Sequence, residues 1–268
     1  MITRQDVLAF GPVFVILGLF ATAAVFPSLF AHGDPLATNP SATLQPPSAE
    51  HWFGTDQSGR DVWTRVVHGT ASTLGSGVLA TLLGAGVGGV IGALSAFGPR
   101  WERALVLRLS EVGLAIPEFL FALLLLAFIG TGQTAVTIAV AVATVPGYAR
   151  LAAVSARAVL KSEAVLAARI VGVGPLRLAV RHVLPEALRP VVSLAVLGVA
   201  TAMLAIAGFA FLGLGVQPPE PDWGVMLSQG KNVVRRAWWV VVLPGLALAG
   251  AAMSFIVLHR QIQNRHTP

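Results

Sequence analysis

The stretch Leu105–Ile129 is apolar apart from a few positions, and three of those are charged: Arg108, Glu111 and Glu118. A carboxylate inside hydrocarbon is expensive and is a functional candidate by default. Glu111 lies one turn from Arg108, which suits an intrahelical ion pair. Glu118 has no basic residue within a turn, so it either meets a cationic group of a passing solute or pairs with another chain. A second charged cluster, Gly54-Thr55-Asp56-Gln57-Ser58-Gly59-Arg60-Asp61, sits in a polar segment. Asp56, Arg60 and Asp61 are near enough in sequence for charge-assisted hydrogen bonds, and the glycines allow sharp turns. That cluster reads either as a loop holding one shape or as a contact surface for a protein or solute. Nothing here builds a catalyst. There is no cysteine, and His51, His68, His182 and His259 lack metal-ligand spacing. No Ser/His/Asp grouping falls on a shared element. The run from Gly224 to Lys231 fails as a phosphate loop, with five residues between its glycines and Asn232 after the lysine. The available chemistry is pairing, recognition and mechanical coupling.

The elements that position these groups are membrane spans. The 268 residues are 55% hydrophobic and 11% charged, with a mean hydropathy of +0.77. A soluble domain of this length needs more charge to cover its surface. Basic residues give a net charge of +6, but they are scattered between apolar runs, which excludes a nucleic-acid face. Six segments are long enough to cross a bilayer: Val7–Leu29, Ser72–Phe97, Leu105–Ile129, Thr134–Leu151, Val191–Leu212 and Trp238–Leu258. The first is too long for a signal core and is read as a retained span. Each must be helical, because lipid satisfies no backbone group. With the N-terminus inside, 13 of the 18 Lys and Arg residues fall on the cytoplasmic side and 5 outside. The positive-inside rule then places both termini in the cytoplasm. Trp52, Trp63, Trp238 and Trp239 fall near the outer interface, where an amphipathic ring is well solvated on one side.

Three segments lie between spans: outer loops at 30–71 and 213–237, and one long cytoplasmic loop at 152–190. In that loop the sequence predicts helix over Ala158–Val171, continuous with the fourth span. Gly172-Val173-Gly174 breaks it, and Pro175 suits the first turn of a new helix. That helix, Pro175 to about Val183, is expected to carry Leu176, Val180 and Val183 on one face and Arg177 and Arg181 on another. Pro185 should end or kink it. Such a piece is either a rigid docking element on hinges or a basic loop resting on anionic headgroups. The glycines Gly84, Gly86, Gly88, Gly89 and Gly92 of the second span suit close helix packing.

These residues carry a resemblance. Ala167-Ala168-Arg169, then Gly172, then Arg181-His182-Val183-Leu184-Pro185 resembles the EAA loop of ABC importer permeases. Leu166 stands where that family has Glu, while Glu163 matches an acidic position of the peptide-permease branch. Gly54 to Arg65 is similar to the outer signature of the C-type subunit of dipeptide, oligopeptide and nickel permeases. So are Phe211-Leu212-Gly213-Leu214-Gly215-Val216-Gln217-Pro218-Pro219 and Asp222-Trp223-Gly224, and so is Arg108-Leu109-x-Glu111 followed by Ala115 and Pro117. The matches cover most of the chain from residue 51 onward.

The resemblance implies an all-α permease of six spans, with a transport domain over residues 51–268 and a first span plus loop start over 1–50. It implies that Glu163, Ala167, Ala168, Gly172, Pro175, Arg177, Arg181, His182, Leu184 and Pro185 couple the chain to an ATPase. It also implies a sister permease subunit, two ATPase subunits or domains that carry the ATP and Mg, and an extracytoplasmic solute-binding protein, all at a bacterial inner membrane. No cofactor is then bound by this chain. Peptides are the first expected substrate, with nickel or another small solute as the alternative. A stand-alone secondary transporter is the rival of another class. It would rest its ion coupling on Glu111 and Glu118 alone, and no internal repeat supports it.

Overall fold

The computed structural model describes residues 4–264. Residues 1–3 and 265–268, including Arg265 of the basic count, lie outside the described residues. So do the side chains of residues 4–10, where the span expected from Val7 begins. Among the described residues the regular structure is helical, with no strand and one isolated bridge between Thr55 and Asp61. The helices are α1 Arg4–Val25, α2 Val62–Ser95, α3 Arg100–Ala115, α4 Glu118–Ile129, α5 Gln133–Leu160, α6 Glu163–Ile170, α7 Pro175–Leu178, α8 Leu184–Phe211, α9 Trp223–Gly230 and α10 Trp239–Asn264.

Four helical runs are long and apolar enough to cross a membrane: α2, α5, the run Pro175–Phe211 and α10. The pair α3 and α4 makes a fifth crossing only if it counts as one broken span. The described apolar part of α1, Gly11–Val25, is shorter than a crossing needs.

Several boundaries differ from the sequence reading, each for a local reason. The second span begins ten residues earlier, at Val62, because the Asp61 carboxylate accepts from the Thr64 N–H at 2.7 Å and caps the helix there. The continuous third span is wrong. A 94° bend separates α3 from α4. Pro117 holds Ile116 extended at φ −94° and ψ 129°, as a residue before proline is held. The fourth helix runs through Pro146 to Leu160. It does not continue to Val171: the chain turns at Lys161-Ser162, and the Ser162 hydroxyl caps a separate α6.

Packing divides the chain into two compact units. One comprises Met1–Leu79, Ile129–Thr137 and Val199–Pro268; the other comprises Ala80–Phe128 and Ile138–Gly198. The first is centred on buried Val62, Val66, Met203, Trp223, Trp239 and Leu248. The second is centred on Ala93, Tyr148, Ala152, Val165, Leu178 and Val183. In the second unit the glycine stripe of α2 lets α5 approach closely. A Cβ on Gly88 would lie 2.6 Å from the Val145 carbonyl oxygen, and one on Gly92 would strike the Ala149 carbonyl oxygen. Gly86 has no atom within 4 Å of a built Cβ, so packing does not explain it.

Candidate functional site

The segment between α5 and α8 holds the expected coupling residues. Ser162 starts α6, with Glu163 in its first turn. Glu163, Leu166 and Ala167 are exposed, Ala168 is half-buried, and Val165 is the residue α6 buries. Gly172 ends this stretch at φ +83°, a conformation that L side chains rarely adopt. Gly174 and Pro175 then open α7.

Beyond α7 the structure departs from the expected short helix. Residues 179–183 form a wider π-type turn in which the Leu184 N–H donates to the Ala179 carbonyl. The helix then continues unbroken into α8. Pro185 therefore does not end it. The extra residue of a π-type turn shifts the carbonyl that the proline ring would otherwise crowd. The turn also shifts the faces. Leu178, Val183, Ala187 and Val191 point inward, spaced five, four and four residues apart. The expected apolar face of Leu176, Val180 and Val183 is thus incorrect. Leu176 and Val180 are exposed beside Arg177, Arg181 and His182. The result is a largely apolar patch: Ile170 is 78%, Val171 83% and Leu176 77% accessible, with Leu166 next to them in sequence. Its single break is at Gly172–Gly174; there is no second hinge at Pro185.

The outer signature builds a tightly bonded lid in the first unit. Gly54 and Gly59 both take φ +70° and Gly213 takes +82°. One Asp56 oxygen accepts from the Ser58 and Arg60 N–H groups at 2.7 and 3.0 Å. Its other oxygen faces Arg60 and Arg65 at 3.8 and 3.7 Å. The Thr55 hydroxyl donates to the Ala42 carbonyl, and the Trp239 indole donates to the Thr55 carbonyl at 3.1 Å. Asp61 pairs with His51 at 2.9 Å. Gly215 has no room for a side chain, since a Cβ would lie 3.0 Å from Ala210.

Two residues that the sequence placed in the outer signature without a role of their own organise this lid. Arg65 is buried and donates to the Pro35 and Pro219 carbonyls at 3.0 Å each. Asp222 is buried and caps α9 through the Gly224 and Val225 N–H groups, while accepting from Ser72 and Thr73 at 2.9 Å. Trp223 follows, fully buried, its indole donating to the Val66 carbonyl at 2.9 Å. Gly224 lies so close to Ala207 that any side chain would collide with it. The sequence signal for Arg65 was its place at the end of the outer signature, one turn after the charged cluster.

Of the carboxylates in the third apolar segment, Glu111 faces Arg108 at 3.8 Å, with both side chains open on the single chain. Glu118 is exposed as the first residue of α4. The structure does not gather these two carboxylates and the loop residues into one site.

Residues 88–267 match the family described as binding-protein-dependent transport system inner membrane component. The chain belongs to this family of ABC importer permeases. Its curated relatives agree. It is 36% identical over 241 residues to the dipeptide transport system permease protein DppC of Alkalihalophilus pseudofirmus, covering 90% of this chain and 79% of that protein. It is 37% identical to the di/tripeptide transport system permease protein DppC of Pseudomonas aeruginosa, covering 89% and 80%. It is 34% identical to the probable D,D-dipeptide transport system permease protein DdpC of Escherichia coli, covering 90% and 81%. As a permease component the chain transports and does not itself catalyse. Within this permease the match takes in α3 to α10 and the later part of α2, and so the whole segment from Glu163 to Pro185.

Proposed function

We propose that this permease forms half of the translocation path of a peptide importer in the bacterial inner membrane. The substrate class rests on one observation: relatives matched over about nine-tenths of the chain carry dipeptide, tripeptide and D,D-dipeptide names. The permease crosses the membrane six times, with α1 and the broken pair α3–α4 added to the four long helical runs. Both termini face the cytoplasm, as the 13-to-5 basic asymmetry favours. Residues 51–268 make the transport domain.

The exposed segment from Glu163 to Pro185 docks on an ATPase. Its free surface is apolar and basic, which is the composition of a protein interface and is costly as a solvated loop. A sister permease completes the path, two ATPase subunits or domains bind the ATP and Mg, and a solute-binding protein delivers substrate to the lid. ATP-driven closure of the ATPases moves the docking segment and alternates access to the path.

The test is reconstitution. Vesicles holding this chain, its sister, the ATPases and the binding protein should take up labelled dipeptide only with ATP. The purified chain alone should hydrolyse none. ATP hydrolysis by the isolated chain above a mock preparation would sink the assignment of energy supply to the partners.

A further inference from the structure

Four carboxylates lie on α3, α4 and α8 in the second unit, Glu102, Glu111, Glu118 and Glu186, and two of them face a cation. Glu111 faces Arg108 at 3.8 Å, and Glu186 faces Arg189 at 2.8 Å. Glu118 has no ion-pair partner among the described residues. It stands directly after the Ile116–Pro117 break, as the first residue of α4. On the topology proposed above, the Gly130–Gly132 turn marks the outer edge of the hydrocarbon. A crossing bent by 94° holds each half at about 45° to the membrane normal, so the twelve residues of α4, about 18 Å long at 1.5 Å per residue, reach about 12 Å inward. The hydrocarbon is about 30 Å thick, so Glu118 sits slightly short of its middle.

Charge at that depth faces protein or a water-filled cavity rather than lipid. Tight packing surrounds the helix break. Gly113, at the end of α3, is pressed on Pro146 of α5, since a Cβ there would lie 2.6 Å from the Pro146 ring. Two residues on in sequence is Tyr148, the one tyrosine of the chain, buried in the same unit. Glu118 as a whole residue is exposed on the single chain. Helices interrupted near the midplane are where membrane transporters place solute-binding groups.

We infer that Glu118 is a cation-recognition point on the translocation path, taking the α-ammonium of a peptide as it passes the broken helix. The inference rests on the peptide-importer reading. A zwitterionic peptide leaving water would carry an unmatched ammonium through the apolar layer, and one carboxylate offsets that cost. A single carboxylate holds the ammonium weakly enough for it to leave again.

The test uses the complete transporter in vesicles, with cysteine-free partners. Glu118→Gln should lower dipeptide uptake by about tenfold or more, the loss expected for one charge-assisted hydrogen bond. Glu118→Asp should keep most of it. Glu118→Cys, in this otherwise cysteine-free chain, should react with a positively charged thiol reagent, and dipeptide should slow that reaction. Uptake by Glu118→Gln equal to wild type would overturn the proposal. So would failure of Glu118→Gln to co-purify with the sister subunit, which would make Glu118 half of an inter-subunit ion pair. An unreactive Glu118→Cys would overturn it as well. Wild-type vesicles that take up no dipeptide would sink the peptide reading and this proposal together, whereas equal uptake by the two proteins sinks this proposal alone.

Discussion

Gly172 and Gly92 are both irreplaceable on physical grounds, but the grounds are opposite. No atom lies within 4 Å of a Cβ built on Gly172, yet its φ is +83°. The strain of a substitution there is all backbone, about 1–3 kcal/mol. Gly172→Val should therefore abolish uptake while membrane insertion stays near wild type, checked by vesicle transport and by yield in the membrane fraction. Gly92 has no room. Gly92→Ala should cost about 1–3 kcal/mol by overpacking α2 against α5, whereas Gly86→Ala should be silent, read as the thermal midpoint of the purified complex. Asp222 is a third case. It serves as helix cap and as acceptor for two hydroxyls. Asp222→Ala should lower stability by about 2 kcal/mol or more, since the cap is lost and buried donors are left without an acceptor. Leu166→Glu restores the residue its family carries, yet it should reduce ATPase co-purification several-fold, because the patch around it is apolar and a carboxylate there is desolvated on docking.

The connection from α7 to α8 depends on its residue count. With one residue fewer between Leu178 and Val183, the buried positions would be spaced four apart and an ordinary α-helix would serve. Only Pro185 would then object, its ring meeting the carbonyl four residues back at a cost of about 3 kcal/mol. Deleting Val180 should therefore destabilise the permease, and adding Pro185→Ala to the deletion should restore it, measured as thermal midpoint and uptake. The sequence held both halves of this arrangement, the proline and the apolar positions, but a fixed helical period could not show the inserted residue. The same holds for Ile116-Pro117, where hydropathy reads straight through a 94° bend. By contrast, the break at Gly172–Gly174 and the start at Pro175 were legible, because glycine and proline act there through the backbone alone.

At the scale of the whole chain, hydropathy revealed four of the crossings and the motifs revealed the family. What stayed hidden was long-range: Thr73 and Asp222, 149 positions apart, share a hydrogen bond that no local pattern announces. The topology itself is open to a direct check. In this cysteine-free protein, Glu50→Cys should react with an impermeant thiol reagent in intact cells, and Ala164→Cys should react only after lysis. The reverse pattern would place the docking segment outside. A further consequence follows from the surface of Ile170, Val171 and Leu176, which is apolar and is uncovered on the single chain. An orphan copy would display to the cytoplasm the kind of surface that chaperones and membrane proteases survey. If this segment docks on an ATPase as proposed, copies made without that partner should be short-lived. A pulse-chase measurement should find the chain decaying several-fold faster when made alone than when made with its partners.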